Sequence, residues 1–185
     1  MNAMLWESPK YETYSDMSLE RLVSYLVDIQ YPYLDKAVNT FRLCSENILS
    51  THEPVSENFK QVADELQELS FTLRKYFDTR AQVFLPFIKK MITSRKTGLP
   101  KGTGSLMDLQ IAQSASTYHH KIKMLLKSIQ TLTNHYKPEG EVSSSIKLCY
   151  AQLFNFEQDI QKHIFVEENI LFPKLEEFIR VIKYN

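Results

Sequence analysis

Apolar residues recur in alternating steps of four and three along most of the chain, the spacing that lays a stripe down one face of an α-helix. The first stripe runs Val23, Val27, Gln30, Leu34, Ala37, Phe41, Cys44, Ile48. It predicts a helix to about Leu49, with Ser15, Asp16 and Ser18 as N-cap candidates. Gln30 is its polar interruption, Tyr31 adjoins it, and Pro32 implies a bend or local irregularity because it lacks an N–H. The second stripe runs Val62, Leu66, Leu69, Leu73, Tyr76, Arg80, Val83, Phe87. Pro54 is placed to open that helix and Pro86 lies inside it, before the pattern ends near Thr93. A third stripe, Ala115, His119, Ile122, Leu126, Ile129, belongs to a helix over Leu106–His135. A fourth, Cys149, Leu153, Phe156, Ile160, His163, Glu167, Ile170, continues to about Ile182.

The breaks between stripes are Ser50–Val55, Arg95–Ser105 with three of the four glycines, and Lys137–Gly140. Residues 1–16 read as a loose lead-in, with Trp6 as an anchor, and 17–185 as one domain. No strand pattern competes. The expected fold is all-α: an antiparallel up-down-up-down four-helix bundle.

Composition narrows the class. A chain of 185 residues fills one core. Lysine plus arginine equals aspartate plus glutamate at 22 each, so no global charge favours nucleic acid or an anionic membrane. No apolar run approaches the ~18 residues of a membrane span, and the N-terminal stretch has no apolar leader core. Cys44 and Cys149 stand in no ligand spacing, and two thiols make no disulfide framework, which fits a reducing compartment. A cytoplasmic protein is expected. Ser-His-Asp, Cys-His and glycine-rich phosphate patterns are missing, leaving hydrolase and nucleotide-binding readings without support.

The candidate chemistry lies in the polar members of the stripes. His163 and Glu167, four apart, project from one helix face, and His119 points inward from the third helix. Two imidazoles and a carboxylate are a sound ligand set for one zinc or iron ion with open positions for water or a small ligand. Tyr31 or Tyr76 could add a phenolate to a ferric ion, although a phenol with a pKa of about 10 resists deprotonation. An internal repeat adds a test. AQVFLPFIKK (Ala81–Lys90) lies over ENILFPKLEE (Glu168–Glu177) at an offset of about 87 residues, which pairs Tyr76 with His163, Arg80 with Glu167 and Pro86 with Pro173. Where the repeat predicts a second His-x-x-x-Glu, the chain has Tyr-x-x-x-Arg. An inward guanidinium needs a partner, and a charge-assisted pair with Glu167, bidentate if the fork is aligned, would keep that carboxylate buried without metal.

Other features have plainer readings. Gln30, Tyr31 and Tyr76 read as mutually bonded core polar groups. His52, His120 and His135 fall where solvent is expected, and Lys89, Lys90, Arg95, Lys96 and Lys101 form a basic cluster around the linker. Phe84, Phe87, Phe172 and Phe178 belong either to the core or to a dimer face.

The string HIFVEENILFPKLEEF, with LTNHYKPEG and LFNFEQDIQK before it, resembles the hemerythrin-like domain of the repair-of-iron-centres proteins, bacterial di-iron proteins linked to nitric-oxide and oxidative stress. SLERLVSYLVDIQYPYL resembles their first helix and LQELSFTLRKYFDTRAQVFLPFIKKM their second. The resemblance implies a hemerythrin-like bundle in which each helix supplies a histidine, and helices two and four add a glutamate four residues on. Carried over by position, these ligands fall on His163 and Glu167, on His119, on Tyr31 or Gln30, and on Tyr76 and Arg80. The metal candidates are therefore His119, His163 and Glu167. No intact di-iron centre is expected, with a single iron or zinc as the remaining option. The implied role is a non-catalytic sensing or interaction module around iron-centre repair, acting on a protein partner or a second copy of itself. The alternative is a metal-binding protein that takes a small ligand or delivers iron.

Overall fold

The computed structural model describes residues 11–51, 57–97, 107–138 and 142–184, and these are helical apart from short turns. Helix α1 spans Tyr11–Asp16 and α2 spans Leu19–Tyr25. The Ser18 hydroxyl caps α2 by accepting from the Arg21 N–H at 3.2 Å. A π-helical segment, Leu26–Gln30, joins α2 to α3 (Tyr31–Thr51). Helix α4 (Glu57–Thr79) passes through a second π segment, Arg80–Phe84, into α5 (Leu85–Thr97). The third bundle helix is α6 (Met107–Leu132). Helix α7 (Ser144–Val166), capped by Ser143, passes through a third π segment, Glu167–Leu171, into α8 (Phe172–Tyr184).

Contacts between neighbouring bundle helices run in opposite directions along the chain. On the first and fourth helices, Tyr31 meets Glu167 and Cys44 meets Cys149. On the second and third, Asn58 meets Leu132, Glu68 meets Lys121 and Tyr76 meets His119. One number rises as the other falls, as antiparallel packing requires. The expected all-α class is what the chain adopts.

The π segments correct the stripes. A π turn inserts one residue into the helix, rotating everything beyond it by about 100° relative to an unbroken 3.6-residue repeat. On the second helix the stripe holds as far as Arg80 and then fails. Val83, expected inside, is 43 % exposed, while Phe84, Leu85 and Ile88 are buried. Phe84, left open between the core and a dimer face, is therefore core. Each π segment has a proline two residues beyond its end, at Pro32, Pro86 and Pro173. The residue before each proline donates five residues back: Tyr31 to Leu26, Leu85 to Arg80, Phe172 to Glu167. The widened turn accommodates a ring that would clash with the carbonyl one α-turn earlier.

Further corrections concern the ends and the cysteines. The lead-in reading ran too far: Tyr11–Asp16 is helical, and Tyr14 is fully buried against Tyr25, with ring centroids 5.4 Å apart. Trp6, His52, Pro54 and Lys101 lie outside the described residues. The third helix stops at Leu132 rather than His135. Asn134, His135 and Tyr136 instead take left-handed φ of 47°, 58° and 61°, at a cost of about 1 kcal/mol or more each for residues with a Cβ. Cys44 and Cys149 were not expected to pair, yet a disulfide joins the first and fourth helices, their Cα atoms 5.7 Å apart. Sequence spacing could not show this, because 105 residues separate the two. Among the described residues, no helix is long and apolar enough to cross a membrane.

Candidate functional site

Three of the four bundle helices bring their π segments to one level, and the polar residues of the stripes meet there. Glu167, the first residue of the third π segment, is fully buried. Its Oε1 accepts from the Tyr31 hydroxyl at 2.8 Å. Its Oε2 accepts from Arg80 Nη2 at 2.5 Å and the Tyr76 hydroxyl at 2.7 Å, and lies 3.0 Å from His119 Nε2. Both oxygens are thus committed to partners on the other three helices.

Arg80 is 1 % exposed. The pairing with Glu167 expected from the repeat is present, but through one nitrogen: Nε is buried without a partner, so the bidentate form is not. Aromatic faces take over where hydrogen bonds run out. The guanidinium carbon lies 4.1 Å from the Phe84 ring centroid, 5.3 Å from Phe172 and 5.5 Å from Tyr76. Burial opposes the charge on Arg80, but Glu167, reinforced by Tyr76 and Tyr31, outweighs it and holds the guanidinium pKa above its ordinary value. Burial likewise tends to raise the Glu167 pKa. Arg80 and the histidines overcome that and keep it well below the usual carboxylate range.

The two histidines face one atom. The Tyr76 hydroxyl lies 2.7 Å from His163 Nε2 and 3.2 Å from His119 Nε2. It has one proton to offer to the Glu167 and His163 acceptors. On the far side of His163, Nδ1 stands 3.0 Å from Gln30 Oε1, an arrangement for an Nδ1–H donor that leaves Nε2 as an acceptor toward Tyr76. Full burial lowers the His163 pKa to about 4, so the ring is neutral near pH 7. Burial, then the Glu167 charge, raises the Tyr31 and Tyr76 phenols well above their ordinary value, and both remain protonated donors.

The structure resolves the choice between Gln30 and Tyr31 by using both. Tyr31 reaches Glu167 and Gln30 reaches His163, because the first π segment ends between them. Glu168 was missed. Its Oε1 lies 2.9 Å from His119 Nδ1, and Lys123 holds its other oxygen at 3.1 Å, so this half-buried carboxylate links the buried cluster to the surface. A visible signal existed: Glu168 adjoins Glu167, and a π turn at that point aims adjacent residues to different sides of the same cluster. His120 and His135 are exposed, as expected, as are Lys89, Lys90 and Arg95. Arg95 stacks over Phe178 at 5.2 Å. Among the described residues, no three His, Cys, Asp or Glu side chains are gathered in a group able to hold a metal ion.

Comparison with known proteins agrees with this architecture. Residues 32–175 match the model of the hemerythrin HHE cation binding domain, well over half of the chain. The chain belongs to the hemerythrin family. It is also related to iron-sulfur cluster repair proteins. It is 19 % identical over 174 residues to the iron-sulfur cluster repair protein YtfE of Yersinia pseudotuberculosis, covering 94 % of this chain and 73 % of the relative. The Yersinia pestis YtfE matches over the same extent. The iron-sulfur cluster repair protein ScdA of Staphylococcus haemolyticus is 33 % identical over 64 residues, which span 35 % of this chain and 29 % of that relative.

Proposed function

We propose that this chain is a hemerythrin bundle in which a built-in cation, the Arg80 guanidinium, stands in the place of the family's metal. It serves as a non-catalytic sensing or interaction module in iron-sulfur cluster repair or the response to nitrosative and oxidative stress. The observation that carries the reading is the 2.5 Å contact between Arg80 Nη2 and the buried Glu167. The residues do not fit a di-iron group. The carboxylate meant to bridge is saturated by donors from its own chain, and its repeat partner is a cation. Tyr76 places a hydroxyl where the two imidazole nitrogens converge. A metal ion entering there would have to displace an ion pair and a proton together.

The relation to repair proteins directs the partner class toward proteins that carry or restore iron-sulfur clusters. The partner would read the outer surface of the bundle, since Arg80, His119, His163 and Glu167 at the centre of the cluster are buried. A second reading retains one metal ion, iron or zinc, on His119, His163 and Glu167; the shared focus of the two Nε2 atoms favours it. Metal analysis and an absorption spectrum of protein purified from iron-supplemented cells separate the two. No stoichiometric metal supports the stand-in cation. About one ion per chain, lost in His163→Ala, supports the mononuclear site. A two-iron centre with an oxo-bridge band overturns both.

A further inference from the structure

At the other end of the bundle lies a cleft of about 430 Å³, within the usual range for small-molecule sites. It forms where the second helix begins, the third ends and the fourth begins. Tyr150 lines it, thirteen residues before His163 and so about 20 Å along the helix from the polar cluster. We propose that this cleft binds a small monocarboxylate with an apolar body.

The ligand class follows from the lining. Phe59, Leu132 and Val142 supply apolar walls. Three polar lining groups are already engaged: the Asn58 amide donates to the Leu132 carbonyl, the Thr131 hydroxyl to the Lys127 carbonyl and the Thr133 hydroxyl to the Ile129 carbonyl. Two donors are not. Tyr150 is 3 % exposed overall, and among the described residues its hydroxyl has no protein hydrogen-bond partner and is not sealed from solvent, so it opens into the cleft it lines. Among the described residues of the lining, Lys137, at the edge, is the one with an ionisable side chain besides that phenol. A phenol and an ammonium beside an apolar cleft suit one carboxylate, while a cationic ligand would meet the like charge of Lys137. The wall carrying Lys137 is the left-handed run Asn134–Tyr136, strain that a preformed site can hold in place. Burial also raises the Tyr150 pKa, which keeps the phenol a donor.

The test is an NMR titration of the whole chain with benzoate and hexanoate, set against benzyl alcohol and hexanol. Benzoate or hexanoate should bind in the millimolar range, shift resonances of Asn58, Val142 and Tyr150, and outbind the matching alcohol about tenfold. Tyr150→Phe and Lys137→Gln should each weaken carboxylate binding about fivefold at unchanged melting temperature, while Lys89→Gln, at the opposite end, should not. Absence of carboxylate binding, equal affinity for alcohol and carboxylate, or unchanged affinity in either cleft variant overturns the proposal. None of these outcomes depends on whether the polar cluster holds metal.

Discussion

The two halves of this bundle solve the same packing problem with different materials. In the half that holds the disulfide, the helices are regular, and Phe41, Ile48, Val62, Leu66, Ile129 and Leu153 fill the centre, with Phe41 and Phe156 edge to face at 4.6 Å. In the other half the centre is a carboxylate, a guanidinium, two imidazoles and two phenols, and the first, second and fourth helices each contain a π turn there. The third, α6, supplies His119 from an uninterrupted α-helix. An apolar core needs only a stripe of about the right volume, which a regular helix provides. A buried polar core needs each donor aimed at an acceptor, and the π turns supply that aim by placing neighbours such as Gln30 and Tyr31 on different targets.

This contrast can be broken by mutation. The largest effect is expected from Arg80→Ala, which leaves Glu167 buried and uncompensated and should cost about 3–5 kcal/mol in denaturant unfolding. Arg80→Met combined with Glu167→Gln should recover much of that loss, because the penalty lies in the orphaned charge. If the single variant melts like the parent, the ion pair does not organise this half. Leu153→Ala in the apolar half should cost about 2–5 kcal/mol through the cavity it leaves. It should add to Arg80→Ala without coupling, since the two sites share no partner.

The halves should also separate by pH. A neutral histidine with a folded pKa of about 4 binds its proton later than the unfolded chain, whose value is 6.5. Stability is therefore lost as pH falls from 6.5 to about 4, by on the order of 3 kcal/mol for His163. Glu167 adds a further loss below the usual carboxylate range, because its folded pKa is depressed. His163→Gln should flatten the upper window, whereas Leu153→Ala should lower stability equally at every pH; urea melts across the range distinguish them.

Restoring the family pattern with Tyr76→His and Arg80→Glu should raise metal content above that of the parent, read by metal analysis after refolding with ferrous iron or zinc. An unchanged content would mean that more than these two positions excludes the ion. Smallest of all, Lys121→Ala at the exposed pair with Glu68 should change stability by less than about 1 kcal/mol, because solvent screens it.

Much of this was written in the stripes. The helices and the all-α class follow from the 3.6-residue period, and the union of Arg80 with Glu167 follows from the internal repeat, since two opposite charges buried at one level have nowhere else to go. The inward course of His119 and His163 was equally legible, because periodicity assigns a face. The sequence alone could not assign what lies beyond a register shift. Val83 and Phe84 exchange places because a π turn adds one residue, and the prolines that mark those turns are also compatible with a simple bend. It could not pair Cys44 with Cys149, bring Glu168 onto His119, or leave Arg80 with an unbonded Nε and three aromatic faces. Those contacts join residues on different helices, and distance across a bundle is fixed by how side chains pack, not by their order in the chain.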